Sequence, residues 1–250
     1  MGIFDFFDKL PSAGELKGGF GEYLTKYYLK LTTDDLVLHD ILINGSDGYT
    51  SQIDLILVSN KGLFVVEVKY YEDAKIYGDP KKSKWYYYRG GKKFEIYSPV
   101  RQNKKHVEYL KAFLSDFGEV PCFSVITMIC NDFKISAPLN EDPENPTTVL
   151  CSSLPYMSRA LAVITKNKPI VFDELKKKQI YDYISTSEFV GKEARQKHKE
   201  EVKSYTESLD KMSAQKICPY CKTELVLRKG KFGEFYGCAN YPKCKYTLKK

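Results

Sequence analysis

Three charged residues stand inside runs that are otherwise apolar. Asp54 interrupts Ile53-Asp54-Leu55-Ile56-Leu57-Val58, and Glu67 and Lys69 interrupt Leu63-Phe64-Val65-Val66-Glu67-Val68-Lys69. Side chains alternate along a strand, so Glu67 and Lys69 share a face. Asp54 and Glu67 lie 13 residues apart across a short turn, which suits neighbouring antiparallel strands and lets the three charges converge. Two such carboxylates suit Mg2+ or Mn2+, hard cations that take oxygen ligands and keep several waters. A lysine beside them can orient a metal-bound water, or balance charge, as it attacks a phosphodiester. Glu22, on a glycine-rich helical stretch, offers a third carboxylate. The plainer alternative is a solvated Glu–Lys pair on an edge strand with Asp54 at a turn. Against it, burying three charges among Ile, Leu and Val is costly unless they are paired or metal-bound.

The second chemical cluster is made of sulfur. Of seven cysteines, Cys122, Cys130 and Cys151 are scattered among apolar residues and read as buried small hydrophobes. Cys218, Cys221, Cys238 and Cys244 fall within 27 residues. Two pairs of thiolates brought together by turns suit Zn2+, which takes four sulfurs tetrahedrally in closed structural sites. Residues 216–250 hold too few apolar side chains to fold without such a metal.

Holding the first cluster together requires a sheet and helices around it. Ser12 and Glu15 form a capping box for a helix running to about Leu31, with Gly18, Gly19 and Gly21 inside it for close packing. Strand patterns follow at Leu36–Ile43, Gln52–Ser59 and Leu63–Tyr70, then shorter ones at Lys75–Tyr77, Trp85–Arg89 and Lys92–Tyr97. Gly90-Gly91 closes the last two as a tight hairpin. A helix is expected over Val100–Phe117, with Val107, Leu110 and Leu114 on one face, and a doubly buried strand over Phe123–Cys130. Asn140–Pro146 reads as a loop, and two helices follow near Pro155–Thr165 and Phe172–Ser185. This order predicts an α/β fold, a mixed sheet flanked by helices, plus a small C-terminal module. The expected organisation is a core over residues 1–185, a polar linker that is helical or partly disordered over 186–215, and the cysteine module over 216–250.

Gly18-x-x-Gly21-Glu22, Gln52-Ile53-Asp54, Gly62-Leu63-Phe64-Val65-Val66-Glu67-Val68-Lys69, Trp85 and Pro99-Val100-Arg101-Gln102-Asn103 together resemble the nuclease-related domain, NERD. That family belongs to the PD-(D/E)xK nucleases, and the resemblance spans roughly residues 12–130. It implies a restriction-endonuclease-like core in which Asp54 and Glu67 hold Mg2+ or Mn2+ and Lys69 serves the attacking water. Glu22 would assist at the metal, and Gln102 would face the site from a helix. Ile53 stands where the superfamily label has Pro, which is ordinary in this family. His106 follows Gln102 at i+4 and reads as structural, since a lone histidine usually is. The resemblance leaves open a monomer or a homodimer.

Cys218-Pro-x-Cys221, Gly233-x-Phe235-x-Gly237-Cys238 and Asn240-Tyr241-Pro242-x-Cys244 resemble the C4 zinc ribbon at the C-terminus of bacterial type IA topoisomerases. That resemblance implies binding of DNA, often single-stranded. Residues 216–250 carry nine Lys/Arg against Glu224 and Glu234, and aromatic rings lie among the lysines. Lysines neutralise phosphates and exposed rings stack on bases. Arg228, Lys229, Lys231, Phe235, Tyr236, Tyr241, Lys243 and Lys245 are therefore the expected nucleic-acid contacts, although some rings must pack the ribbon's own core.

The whole chain of 250 residues fits these readings. Its formal charge of +7 is uneven, with 15 Lys/Arg against 7 Asp/Glu in residues 191–250. This points to a polyanion partner, nucleic acid above all. With 43% hydrophobic and 14% aromatic residues, global disorder is excluded. No apolar run reaches the roughly 18 residues a membrane span needs. The first residues show no basic leader, small-residue cleavage site or myristoylation signal, so the expected location is the cytoplasm. The expected activity is metal-dependent hydrolysis of DNA. The alternatives are a non-catalytic DNA-binding or sensing protein on a nuclease fold, and a nuclease directed at RNA.

Overall fold

The computed structural model describes residues 19–44, 50–136, 139, 147–187, 192–230, 233–244 and 246–249. It divides into two compact units between Val190 and Gly191. In the first unit, helix α1 (Phe20–Thr32) leads into three long strands, β1 (Leu36–Asn44), β2 (Thr50–Ser59) and β3 (Gly62–Tyr70). Three short strands follow, β4 (Lys75–Gly78), β5 (Lys84–Arg89) and β6 (Lys92–Tyr97), and then helix α2 (Pro99–Phe113). Strands β7 (Cys122–Ile129), β8 (Asp132–Ile135) and β9 (Thr148–Cys151) precede helices α3 (Leu154–Thr165) and α4 (Glu174–Ser187). The Ser12–Glu15 capping box, Gly18 and the Asn140–Pro146 loop lie outside the described residues.

The central sheet has the order β1-β2-β3-β7-β9. Its first three strands are antiparallel, whereas β3–β7 and β7–β9 are parallel, so the sheet is mixed as expected. From Gly62 to Val68 every residue of β3 is buried, because helices cover both faces. One face packs Leu63 and Val65 against Leu110 of α2, Leu114 at its C-cap, and Ile180 and Ile184 of α4. The other packs Phe64 and Val66 against Leu29 of α1 and Met157 and Ile164 of α3. A second sheet, of order β6-β5-β4-β8, rests on β7 through Ile76 and Trp85, which meet Ile126 and Met128.

Two local features place the catalytic candidates. On α1, a Cβ added at Gly21 would lie 2.5 Å from the Tyr70 Cβ, so only glycine lets the helix ride this close to β3. In β1 and β2 the inward–outward alternation changes phase midway. Leu38 shares a core cluster with Ile41 and Ile43, and Ile53 shares it with Ile56 and Val58. The switch falls at Asp40, whose φ is 58°, and at Asp54 on the neighbouring strand. Asp40 is held there by the Gln52 amide, whose Nε2 donates to Oδ1 at 2.6 Å.

Several boundaries differ from the pattern reading. Gly19 caps α1 instead of lying within it. Helix α2 stops at Phe113 and continues as a 3-10 turn, Ser115–Phe117, ended by Gly118 at φ 78°. Strands β8 and β9 were not expected; at four residues each, they are too short to show a period of two.

In the second unit, residues 192–214 form one helix, α5 (Lys192–Ala214). Strands β10 (Leu225–Gly230), β11 (Gly233–Cys238) and β12 (Thr247–Lys249) then form an antiparallel sheet. Among the described residues no helix is long and apolar enough to cross a membrane.

Candidate active site and zinc centre

The β2–β3 ladder ends at the pair Leu55 with Val66, and Asp54 and Glu67 stand one step beyond it. There the Asp54 side chain replaces the ladder: its Oδ2 accepts the Val68 backbone N–H at 2.7 Å. Burial, reinforced by the Glu67 and Glu22 carboxylates, holds Asp54 well above the usual carboxylate range. This carboxyl is short of positive charge.

Glu67 has the opposite balance. It is fully buried, and Lys69 Nζ lies 2.5 Å from its Oε1. His106 Nε2 from α2 lies 3.2 Å from its Oε2. Lys69 thus holds one oxygen of the buried Glu67 carboxylate and His106 the other. Burial opposes ionisation of Glu67, but Lys69 and then His106 outweigh it and hold the carboxyl below its ordinary value. Burial also works against the Lys69 ammonium, and Glu67, then Asp54, keep it above its ordinary value. His106 Nδ1 is 2.7 Å from Ser51 Oγ. With Nε2 facing a carboxylate, Nδ1 is the nitrogen left to accept the Ser51 hydroxyl proton. Beside it, Asn103 is fully buried and bonds the Val65 carbonyl and Ser124 Oγ, both at 2.8 Å, stitching α2 to β3 and β7.

Glu22, Asp54, Lys69, Tyr71, Glu72 and Arg89 line an open cleft of about 430 Å3. Glu22 also meets His39, with Oε2 3.6 Å from Nε2. Glu67 lies beneath this cleft, covered by Lys69. Gln102 is half-buried on the first turn of α2 and is not among the cleft's lining residues. His106, which the residue pattern assigned to structure, contacts Glu67 instead. The signal that could have found it is its place at i+4 from Gln102, on the helix that caps the Glu67 face of β3.

The oxygen donors suit a hard divalent cation. Asp54 is held well above its ordinary value by burial and by its neighbouring carboxylates, a surplus of negative charge that a cation would relieve, whereas both Glu67 oxygens already face Lys69 and His106. The carboxylates are not drawn together into a ready-made cage. Among the described residues, only the cysteine quartet brings three or more such ligand atoms within 4.8 Å of one another.

That quartet is Cys218, Cys221, Cys238 and Cys244. The Sγ atoms of Cys218 and Cys244 are 3.6 Å apart, and those of Cys221 and Cys238 are 3.2 Å apart. Such spacings approach the edge of a tetrahedron with Zn–S of about 2.3 Å. The site is a structural Zn2+ site, and the ribbon's small core of Leu225, Tyr236, Tyr246 and Leu248 forms around it. By contrast, burial pushes the Cys122 and Cys151 thiols up to about 12, as unreactive core residues. Cys130 is only half-buried.

The expected ribbon contacts divide by face. Tyr236 lies on the cysteine side, packed in the core with Lys216 Nζ 4.0 Å from its ring centre. Phe235 and Arg228 are register partners on the other side. Arg228 donates to the Cys238 carbonyl at 3.2 Å, and its guanidinium sits 5.7 Å from the Tyr241 ring. Lys229, Tyr241 and Lys243 are exposed. Lys231 and Lys245 lie outside the described residues.

Comparison with known proteins finds matches over both regions. Residues 17–129 match the family model of the nuclease-related domain, and residues 215–250 that of the topoisomerase DNA-binding C4 zinc finger. The chain therefore carries a nuclease-related domain followed by a topoisomerase-type zinc ribbon. An uncharacterized protein of Bacillus anthracis is 37% identical over 111 residues, which is 44% of this chain and 51% of that one. DNA topoisomerase 1 of Methanocaldococcus jannaschii is 66% identical over 32 residues, 13% of this chain and 4% of the topoisomerase. DNA topoisomerase 1 of Campylobacter jejuni is 63% identical over 30 residues, 12% of this chain and 4% of that protein. The chain thus spans about half of the first relative and a small part of the topoisomerases. No solved structure matches it.

Proposed function

We propose that this protein is a metal-dependent nuclease that hydrolyses phosphodiester bonds in DNA, with the zinc ribbon binding the nucleic acid. The observation that carries the reading is the Asp54–Glu67–Lys69 group at the cleft. Charges are placed there in an apolar sheet, where structure alone gains nothing from them. Asp54 and Glu67, with Glu22 at the rim, are the residues that would hold Mg2+ or Mn2+. What such a cation supplies when bound is Lewis acidity toward the phosphodiester.

The chain's own residues do the rest. Asp54 keeps its place through the Val68 N–H, so its carboxylate points from a rigid strand instead of a loop. Lys69 stays protonated beside Glu67 and can hold an incoming water by hydrogen bond, or offset charge on the phosphate oxygens. The ribbon, with exposed Lys229, Tyr241 and Lys243, offers phosphate and base contacts to the strand, single-stranded DNA included. The domain limits proposed are 1–185, 186–215 and 216–250, the middle segment acting as a helical spacer. The expected compartment is the cytoplasm, and a homodimer is compatible with the reading.

The test is an assay on circular single-stranded and supercoiled DNA, with Mg2+ or Mn2+, of the intact protein and Lys69→Ala. Metal-dependent cutting that the variant loses is the expected result, and cut circles identify an endonuclease. One observation favours a non-catalytic reading: Glu67 is covered by Lys69 and the carboxylates are not gathered. No cutting, with binding intact in both proteins, decides for that reading. Cutting of RNA but not DNA redirects the substrate.

A further inference from the structure

The second sheet has a face with no assigned role. Strands β4, β5, β6 and β8 turn Ile76, Trp85 and Ile96 toward the core. Their alternate residues point away from it. By register, Tyr77 lies between Tyr86 and Lys134, and Lys75 between Tyr88 and Asp132. Lys93 stands opposite Tyr88, and Lys84 opposite Tyr97. The outward face is therefore a lattice of tyrosine and lysine. Tyr77, Tyr88 and Tyr97 are 41%, 39% and 51% exposed. The Tyr77 and Tyr88 rings pack edge to face, 5.6 Å apart, which fixes them relative to each other. Lys93 Nζ lies 3.7 Å from the centre of the Tyr86 ring.

Four lysines on this face meet two carboxylates, since Lys84 pairs with Glu95 at 2.8 Å and Lys134 with Asp132 at 3.5 Å. Lys75 and Lys93 carry the surplus. The same β5–β6 hairpin turns at Gly90-Gly91, with φ 55° and 75°, and sends Arg89 into the candidate catalytic cleft. Tyr87 from β5 packs on Tyr71 of the cleft, with ring centres 4.6 Å apart. The hairpin is thus a wall shared by the cleft and the tyrosine face.

We infer that the outward face of the β4–β5–β6–β8 sheet binds single-stranded nucleic acid, with bases stacked on Tyr77 and Tyr88 and phosphates on Lys75 and Lys93. This deepens the nuclease reading and rests on it only for the purpose of binding. Exposed rings spaced among cations suit unstacked bases joined by phosphates. A protein partner would call for a continuous apolar patch, and here every tyrosine has a charged neighbour. Duplex DNA hides its base faces, so the rings discriminate for single strands.

The test uses the full chain without added divalent cation and an oligothymidylate carrying photoreactive 5-iododeoxyuridine. Cross-links to the peptides holding Tyr77 or Tyr88 are expected. Tyr77→Leu and Tyr88→Leu should each weaken oligothymidylate binding about five- to tenfold, with duplex binding unchanged, by the worth of one stacked base. Tyr77→Phe and Tyr88→Phe, which keep the ring, should bind within about twofold of the parent. Lys75→Glu should weaken binding and flatten its salt dependence. Oligouridylate in parallel separates RNA from DNA as the occupant. Cross-links confined to residues 191–250, or leucine variants that bind like the parent, overturn the inference. A chain that cross-links here and cuts nothing keeps it and removes the nuclease reading. One that cuts but cross-links only through the ribbon does the reverse.

Discussion

At the scale of single residues, the site is a contest between burial and charge, and its two acids fall on opposite sides. Asp54 is raised, so the folded protein keeps a proton where the unfolded chain has lost it. Stability therefore falls as pH rises through the interval between the two values. Asp54→Asn removes that loss while its amide oxygen keeps the Val68 N–H. At pH 7 without divalent cations the variant should melt higher than the parent. Adding Mn2+ should raise the parent's melting temperature and leave the variant's unchanged; equal shifts in both would remove Asp54 as a ligand. Glu67 is depressed, so its contribution is present above its unfolded value and is lost as pH falls through the folded one. Lys69→Ala leaves Glu67 with His106 alone. It should abolish cleavage while changing DNA affinity by less than about twofold, because the proposed strand contacts are on the ribbon and the tyrosine face and not on Lys69. A large loss of affinity would contradict that division of labour.

At the scale of elements, the position of Glu22 depends on how closely α1 approaches β3. Gly21→Ala sets a Cβ 2.5 Å from the Tyr70 Cβ and 3.3 Å from the Val68 side chain, so the helix must shift. Overpacking of this kind costs about 1–3 kcal/mol. The expected result is a lower melting temperature together with weaker metal binding, as Glu22 moves with the helix. A fall in stability alone would place Glu22 outside the metal site. The end of the β2–β3 ladder at Leu55–Val66 is the other determinant, since beyond it the Val68 N–H is bonded by the Asp54 carboxyl.

At the scale of the whole molecule, the two units rest on different physics. Residues 1–190 bury a sheet between helices, whereas the ribbon's core consists of a few side chains around four cysteines. Stripping zinc with a chelator should unfold residues 216–250 and spare the first unit, seen as loss of ribbon amide protection with α/β circular dichroism retained. A single cooperative loss of both would contradict this independence.

What the chain's order of residues determined by itself was everything with a period or a fixed spacing. The long apolar strands, the Gly90-Gly91 hairpin, the pairing of Glu67 with Lys69 and the cysteine quartet are local patterns, and local patterns survive reading in one dimension. The tertiary structure alone decided what depends on contacts between distant segments. His106 reaches Glu67 only because α2 lies across that face of β3, and Ser51 reaches His106 across 55 residues of chain. The phase change at Asp40 and Asp54 breaks the alternation on which pattern reading relies, so the sequence alone could not say which way Asp54 points. Covering of Glu67 by Lys69, and division of the ribbon's rings into Tyr236 inside and Tyr241 outside, are likewise results of packing. Spacing names the groups that can do chemistry, but packing against remote segments sets their burial, and burial sets their charge.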